Sequence, residues 1–232
     1  MTYSKINTTP IPYNLISLSR GIKRLEKLGT AVTYPDNFQL NIADEVPSDC
    51  YIVKSGRVIC YETSYAGALR IYNIMEPGSL LMEECLLFDY PCPVVFKTMG
   101  KTELVRIDKC DLKRAFKHDI DVVMDVCESL SVKFLSAMEH QRIGARQSAS
   151  WKICQTLLMF GESKGAAEDG RIVINERLNQ NMLSELLGIN RVTVTRKLKE
   201  LKEAGLIDYS HGRYSILDAA ALKAYMEKIE CK

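Results

Sequence analysis

The 232-residue sequence has no CxxC pair, and its three histidines, His118, His140 and His211, stand in no spacing that would complete a zinc site with cysteines. No metal or other cofactor is expected. It also lacks a glycine-rich phosphate loop and any nucleophile with a base beside it in a recognisable motif, so catalysis is not expected. No apolar run reaches the roughly eighteen residues that cross a bilayer, and the opening MTYSKINTTPIPYNLISL has no basic stretch followed by an apolar core. Membrane insertion and secretion are therefore not expected, which points to the cytoplasm. Charge of one sign is scarce too: 31 Lys and Arg against 29 Asp and Glu leave +2. The composition that remains, 47% hydrophobic and 26% charged, is that of a folded globular chain of one large or two ordinary domains. Its eight cysteines suit buried thiols in a reducing compartment. Cys92, between Pro91 and Pro93, is the exception, expected in a rigid and accessible loop.

Splitting the charge is more informative than totalling it. Residues 1–145 hold seventeen basic and eighteen acidic groups, while 146–232 hold fourteen and eleven; within 177–213 the count is seven to four. The surplus of the C-terminal part sits in that one segment. From about residue 28 to 108 the text reads as short strands: YIVKSGRVICYE with a turn at Ser55-Gly56, then ALRIYNIM, VVFKTM and TELVRID, with Pro77-Gly78 and Gly100-Lys101 between runs. That pattern predicts an antiparallel barrel or sandwich. The period then changes. Ile120, Met124, Cys127, Leu130, Phe134, Met138 and Gln141 follow a three-and-four spacing, which predicts one long amphipathic helix with a narrow seam suited to a second copy. Packing of the helix on its own β domain can hold on another face. Residues 144–150 read as a hinge, 150–165 as a helix closed by Gly165, GAAEDG as a surface loop, and Arg171 to Ile174 as a short strand.

The strongest signal is LNQNMLSELLGINRVTVTRKLKELKEAGLIDYSHGRYSIL. Asn179 suits a helix cap, Met182, Leu183, Leu186 and Leu187 make an apolar stripe, and Gly188 supplies a tight turn. Asn190 caps a second helix whose inward positions are Val194, Leu198 and Leu201. Outward stand Arg191, Val192, Thr195, Arg196 and Lys199. Two short helices about a glycine turn predict a helix-turn-helix, whose second helix enters the major groove of double-stranded DNA. A hairpin around His211-Gly212-Arg213 predicts a wing with Arg213 near phosphate. The competing reading is an αα-hairpin used only for packing.

A β-roll-like region, a long helix and a C-terminal winged helix-turn-helix in that order resemble the Crp/Fnr family of bacterial transcription regulators, over roughly residues 28–228. GINRVTVTRKLKELKEAGLI and SHGRYSIL carry the likeness most specifically. The resemblance implies an α+β fold: an antiparallel β-roll of the cyclic-nucleotide-binding, jelly-roll kind over residues 1–117, a dimerisation helix over 118–144, and a winged helix-turn-helix over 145–232. It implies a homodimer through Ile120, Cys127, Leu130, Phe134 and Met138 that binds a near-palindromic duplex and meets RNA polymerase if it activates. The family's base-reading arginines fall on Arg191 and Arg196, and the acidic residue often between them falls on Val192, which cannot accept a bond from cytosine. Of the two, Arg196 sits deeper on the exposed face and is expected at a base edge, with Arg191 bridging to phosphate. Phosphate contacts fall on Gln180, Asn181, Thr193, His211 and Arg213. A valine here is shared with the family's halorespiration regulators, which prefer A·T-rich sites.

The same resemblance sharpens what the N-terminal half lacks. Gly78 and Glu83 stand where cyclic-nucleotide members have their phosphate cassette, but Cys92-Pro93 replace its Arg-Ser, and no arginine occurs between Arg70 and Arg106. A buried phosphodiester beside Glu83 would lack its cation, which argues against cyclic AMP. The first cysteine is Cys50, so an N-terminal iron-sulfur cluster is not expected either. The expected effector is a small, partly apolar molecule between roll and helix near Glu83, Lys133 and Phe134. Lys133 would meet an anionic group, the plainer reading being a lysine that snorkels to solvent. Two alternatives remain: a thiol switch between Cys85 and Cys92, and an enzyme with an autoregulatory winged helix.

Overall fold

The computed structural model describes residues 13–14, 20–64 and 67–230. The opening segment, apart from Tyr13 and Asn14, and Cys231 lie outside the described residues. The chain divides into two compact units, with the boundary between Met138 and Glu139.

The first unit runs β1 (Tyr13–Asn14), α1 (Arg20–Leu28), β2 (Thr30–Tyr34), β3 (Asp49–Thr63), β4 (Leu69–Met75), β5 (Leu80–Leu81), α2 (Glu83–Phe88), β6 (Val95–Asp108), α3 (Lys109–His118) and the part of α4 (Ile120–Arg146) up to Met138. The strands lie in the order β1-β4-β3-β6-β2, with β5 also on β3. All neighbours are antiparallel except β1 on β4. The expected turns at Ser55-Gly56 and Gly100-Lys101 are not turns. Both lie inside long strands, β3 and β6, which pair with each other along most of their length, with register shifts around Ser55. Gly56 takes φ of +79°, and a Cβ there would fall 2.7 Å from the Lys101 carbonyl, so only glycine fits this bulge. Successive β3 residues face opposite sides. Cys50 and Ile52 join Ile22, Leu25, Val105, Ile107, Leu112, Val122 and Val126 in one cluster, which docks α1, α3 and the first turns of α4. Tyr51 and Val53 join Cys60, Met82, Cys85, Cys92 and Phe96 in another. Asp108 caps α3 by accepting from Asp111 N at 2.9 Å, and Arg24 donates to Asp119 at 2.5 Å where α3 gives way to α4.

The second unit comprises α5 (Ala149–Lys164), β7 (Gly165–Glu168), β8 (Arg171–Ile174), α6 (Gln180–Leu187), α7 (Arg191–Glu203), β9 (Ile207–Ser210), β10 (Arg213–Ile216) and α8 (Ala219–Glu230). Its sheet order is β7-β8-β10-β9. GAAEDG is therefore a strand and turn rather than a loop. The hinge also moves: α4 runs through Gly144 to Arg146, and the break falls at Gln147 and Ser148, whose hydroxyl caps α5. Helix α5 is the hub, with Ile153, Cys154, Leu157, Leu158, Met159 and Phe160 all buried. A Cβ at Gly165 would sit 2.1 Å from the Gly161 carbonyl, which explains glycine where helix turns to strand.

Candidate nucleic-acid interface

Helix α6 starts where Asn179 Oδ1 accepts from Met182 N at 2.9 Å. It ends at Gly188, in the left-handed region at φ 62°, with its N–H on the Ser184 carbonyl. Asn190 Oδ1 then accepts from Val192 N at 2.9 Å and opens α7. Met182, Leu183 and Leu186 on one helix, and Val194, Leu198 and Leu201 on the other, are buried. The apolar stripes thus fix which side faces out.

On that outer side stand Arg191, Val192, Thr195 and Arg196, all exposed, with Val192 at 75% of its full surface. Thr193 is half-buried. Arg196 is held only loosely, its Nε 4.0 Å from Glu200. Thr195 Oγ1 donates to Gln180 Oε1 at 2.7 Å, so two of the expected DNA contacts bind each other and couple the two helices. Asn181 is exposed beside them.

The wing forms as expected. Ser210 pairs with Arg213, and the two residues between, His211 at φ 50° and Gly212 at φ 78°, both lie in the left-handed region that a tight hairpin requires. Arg213 is exposed and donates to Asn175 Oδ1 at 3.1 Å. Lys202 Nζ reaches Asp208 at 2.8 Å, tying the end of α7 to the wing. Its hydrogen bond holds the Asp208 carboxyl below its ordinary value. Sequence reasoning missed Tyr209. Its ring packs on buried Tyr214 at 4.6 Å between centroids, on the strand leading to the wing tip, and the alternation of that strand was the available signal.

Residues 152–225 match the Crp-like helix-turn-helix domain family. The nitrogen fixation regulation protein FixK of Bradyrhizobium diazoefficiens is 22% identical over 205 residues, covering 88% of this chain and 84% of that protein. The second unit thus carries a Crp-like helix-turn-helix domain, and the chain as a whole is similar to Crp/Fnr-type transcription regulators. Solved structures agree on the fold: the c-di-GMP-responsive global regulator CLP of Xanthomonas campestris superposes with a TM-score of 0.76 at 18% identity, covering 85% of this chain and 98% of that one. OCPA-complexed CprK does so at 0.74 and 16% identity, covering 93% and 97%.

In the β-roll of the first unit, Glu83 has no exposed surface and accepts from Lys133 Nζ at 2.7 Å through each carboxylate oxygen and from Ser129 Oγ at 3.0 Å. Glu84 lies 3.3 Å from the same ammonium. Lys133 does not snorkel: only 16% of its side chain is exposed, and α4 turns it inward. Burial drives the Glu83 carboxyl above its ordinary value despite Lys133. Burial also opposes charge on Lys133, but Glu83 and Glu84 outweigh it and hold the ammonium above its ordinary value. Phe134, one residue on, is 64% exposed.

Along α4, Ile120, Met124, Cys127, Phe134 and Met138 are exposed, and Val122, Val126 and Ser129 are buried. Leu130 leaves the expected seam, because it is half-buried against the roll's own core. Cys92 is likewise corrected: it is 1% exposed, with its sulfur donating to the Val94 carbonyl at 3.3 Å. Cys85 lies in the same buried cluster as Cys92, and burial foremost pushes its thiol up to about 12. Among the described residues no group of three or more His, Cys, Asp or Glu side chains is placed to hold a metal, and no helix is long and apolar enough to cross a membrane.

Proposed function

We propose that this regulator is a homodimer that reads a near-palindromic duplex and is gated by a signal taken up in its β-roll. The observation that carries the reading is the outward row Arg191, Val192, Thr195 and Arg196 at the start of α7, opposite the buried Val194 and Leu198. In a major groove, Arg196 offers two bonds to a guanine edge and Val192 a methyl-binding surface, while Gln180, Asn181, Thr193, His211 and Arg213 lie towards the backbone. The five exposed apolar positions of α4 repeat at heptad-like spacing, and a second copy buries them. RNA polymerase is a further partner if the protein activates. The effector class that suits the roll is small and partly apolar, near Glu83, Lys133 and Phe134, and it has to compete with Glu83 and Glu84 for the Lys133 ammonium. Native mass spectrometry of the purified protein identifies any molecule it retains.

Selection from a randomised duplex library tests the reading. Two inverted half-sites about one helical turn, roughly 34 Å, apart are expected, and a single unrepeated site overturns it. Phe134→Asp with Met138→Lys should give monomer or unfolded chain on sedimentation. The placement of Cys85 and Cys92 in one buried cluster favours a second reading, a thiol-gated regulator, although burial disfavours their thiolates. A Cys85–Cys92 disulfide in peptides of oxidised protein that still binds DNA when reduced supports it.

A further inference from the structure

The second unit holds a groove that the reading face of α7 does not use. It has a volume of about 880 Å³ and runs between the first turn of α5, the middle of α7 and the last turns of α8. Small-molecule sites span roughly 300–1,000 Å³, so the groove is of a size to take one. Ala224, the ring of Tyr225 and Ile229 give it an apolar wall. Set into that wall is Ser150, only 7% exposed, whose hydroxyl makes no hydrogen bond with any described residue. Its bonding is left to whatever fills the groove. The charged groups at the rim are Lys197, Lys228 and Glu227, two ammoniums to one carboxylate. Lys228 has no ion pair among the described residues, and Lys197 is held by a carboxylate from outside the groove, that of Glu200 at 2.7 Å. The other oxygen of Glu200 lies 4.0 Å from Nε of Arg196, on the reading face. Groove and reading face therefore draw on a single carboxylate.

We propose that this groove binds an elongated apolar organic anion, with its chain on Ala224, Tyr225 and Ile229 and its acid group bonded by Ser150 and the two lysines. The surplus of ammoniums at the rim selects the sign of the charge, and the apolar wall selects the body that carries it. An anion that takes Lys197 leaves Glu200 with Arg196 as its remaining cation. The guanidinium is then drawn back along its own helix and away from a base edge, so occupancy lowers DNA affinity. The site stands on the groove alone, while its effect on DNA rests on the reading of Arg196 above.

The probe is decanoate, titrated by calorimetry into the full-length protein below the concentration at which it forms micelles, with decylamine as the control of equal chain and opposite charge. Decanoate should saturate at about one per chain, and decylamine should bind at least roughly tenfold more weakly. Ala224→Trp, at an exposed helix position, fills the groove and should abolish binding with the melting temperature unchanged. Lys197→Gln with Lys228→Gln should weaken binding roughly tenfold. Glu200→Gln releases Lys197 and should bind decanoate more tightly than the wild type, an effect that a merely structural role would not produce. On the palindrome returned by selection, saturating decanoate should lower wild-type affinity roughly three- to tenfold and leave that of Glu200→Gln as it was. No saturable binding, equal binding of decylamine, or undiminished binding by Ala224→Trp overturns the site. A decanoate effect on DNA that persists in Glu200→Gln overturns the link through Glu200. If the wild type binds decanoate but no duplex, the DNA-binding reading falls and the groove stands.

Discussion

The polar groups around Lys133 and those around Arg191 differ in where their hydrogen bonds go. Glu83, Glu84, Ser129 and Lys133 spend theirs on one another, in a place where Glu83 has no exposed surface. Around Arg191 the Asn179 and Gln180 side-chain oxygens each accept one bond from the protein, while the exposed guanidinium is left to solvent. In the first cluster charge is neutralised within the fold, and losing one member leaves a buried ion alone. In the second, the protein carries its deficit on the surface, where water supplies the missing acceptors until a partner does. Internal satisfaction marks a group that holds the fold together, and an orderly lack of it marks one that awaits something else.

Deleting the lysine tests that contrast most severely. Lys133→Met leaves Glu83 buried without its cation and should cost on the order of 3–5 kcal/mol in chemical denaturation, while Glu83→Gln with Lys133→Met should recover most of the loss. Equal destabilisation by the single and double variants would show that the pair is not mutually dependent. On the open side, Arg196→Ala should leave the melting temperature unchanged and cost about 1–3 kcal/mol per half-site at one symmetric pair of bases. Uniform weakening of all sequences would show the reading face to be misplaced. Asn190→Ala removes the cap of α7 and should cost roughly 1 kcal/mol of stability, seen in the fluorescence of the single tryptophan, Trp151 of the second unit. The smallest effect is electrostatic. Asp119 beside Arg24 and Asp208 beside Lys202 are held below the ordinary aspartate value, so their contributions are present above that range and fade as pH falls through it. Lys202→Met should therefore blunt the acid sensitivity of the Trp151 signal without altering that of the first unit.

The second unit was the more legible in sequence because its signals are local. Asn179, Gly188 and Asn190 each act within four residues, and the structure uses all three as caps or turns. The failures come from partners distant in sequence. Lys133 meets Glu83 fifty residues away, which no periodicity announces. Gly56 and Gly100 look like hairpin turns until β3 and β6 are seen to pair past them, and Cys92 looks exposed until its backbone N–H is found on the Glu45 carbonyl. Helices α2 and α3 follow strands so closely that their short patterns are lost among them.

The bond between Thr195 and Gln180 also limits what the reading helix can say. A threonine hydroxyl owns one proton, and this one is already given to the Gln180 oxygen. Towards the groove, Thr195 can present only lone pairs and a methyl group. A base opposite it must bring its own N–H, as adenine and cytosine do in the major groove, or a methyl, as thymine does; guanine brings neither. If Thr195 faces a base, that one bond within the protein disfavours one letter of the alphabet.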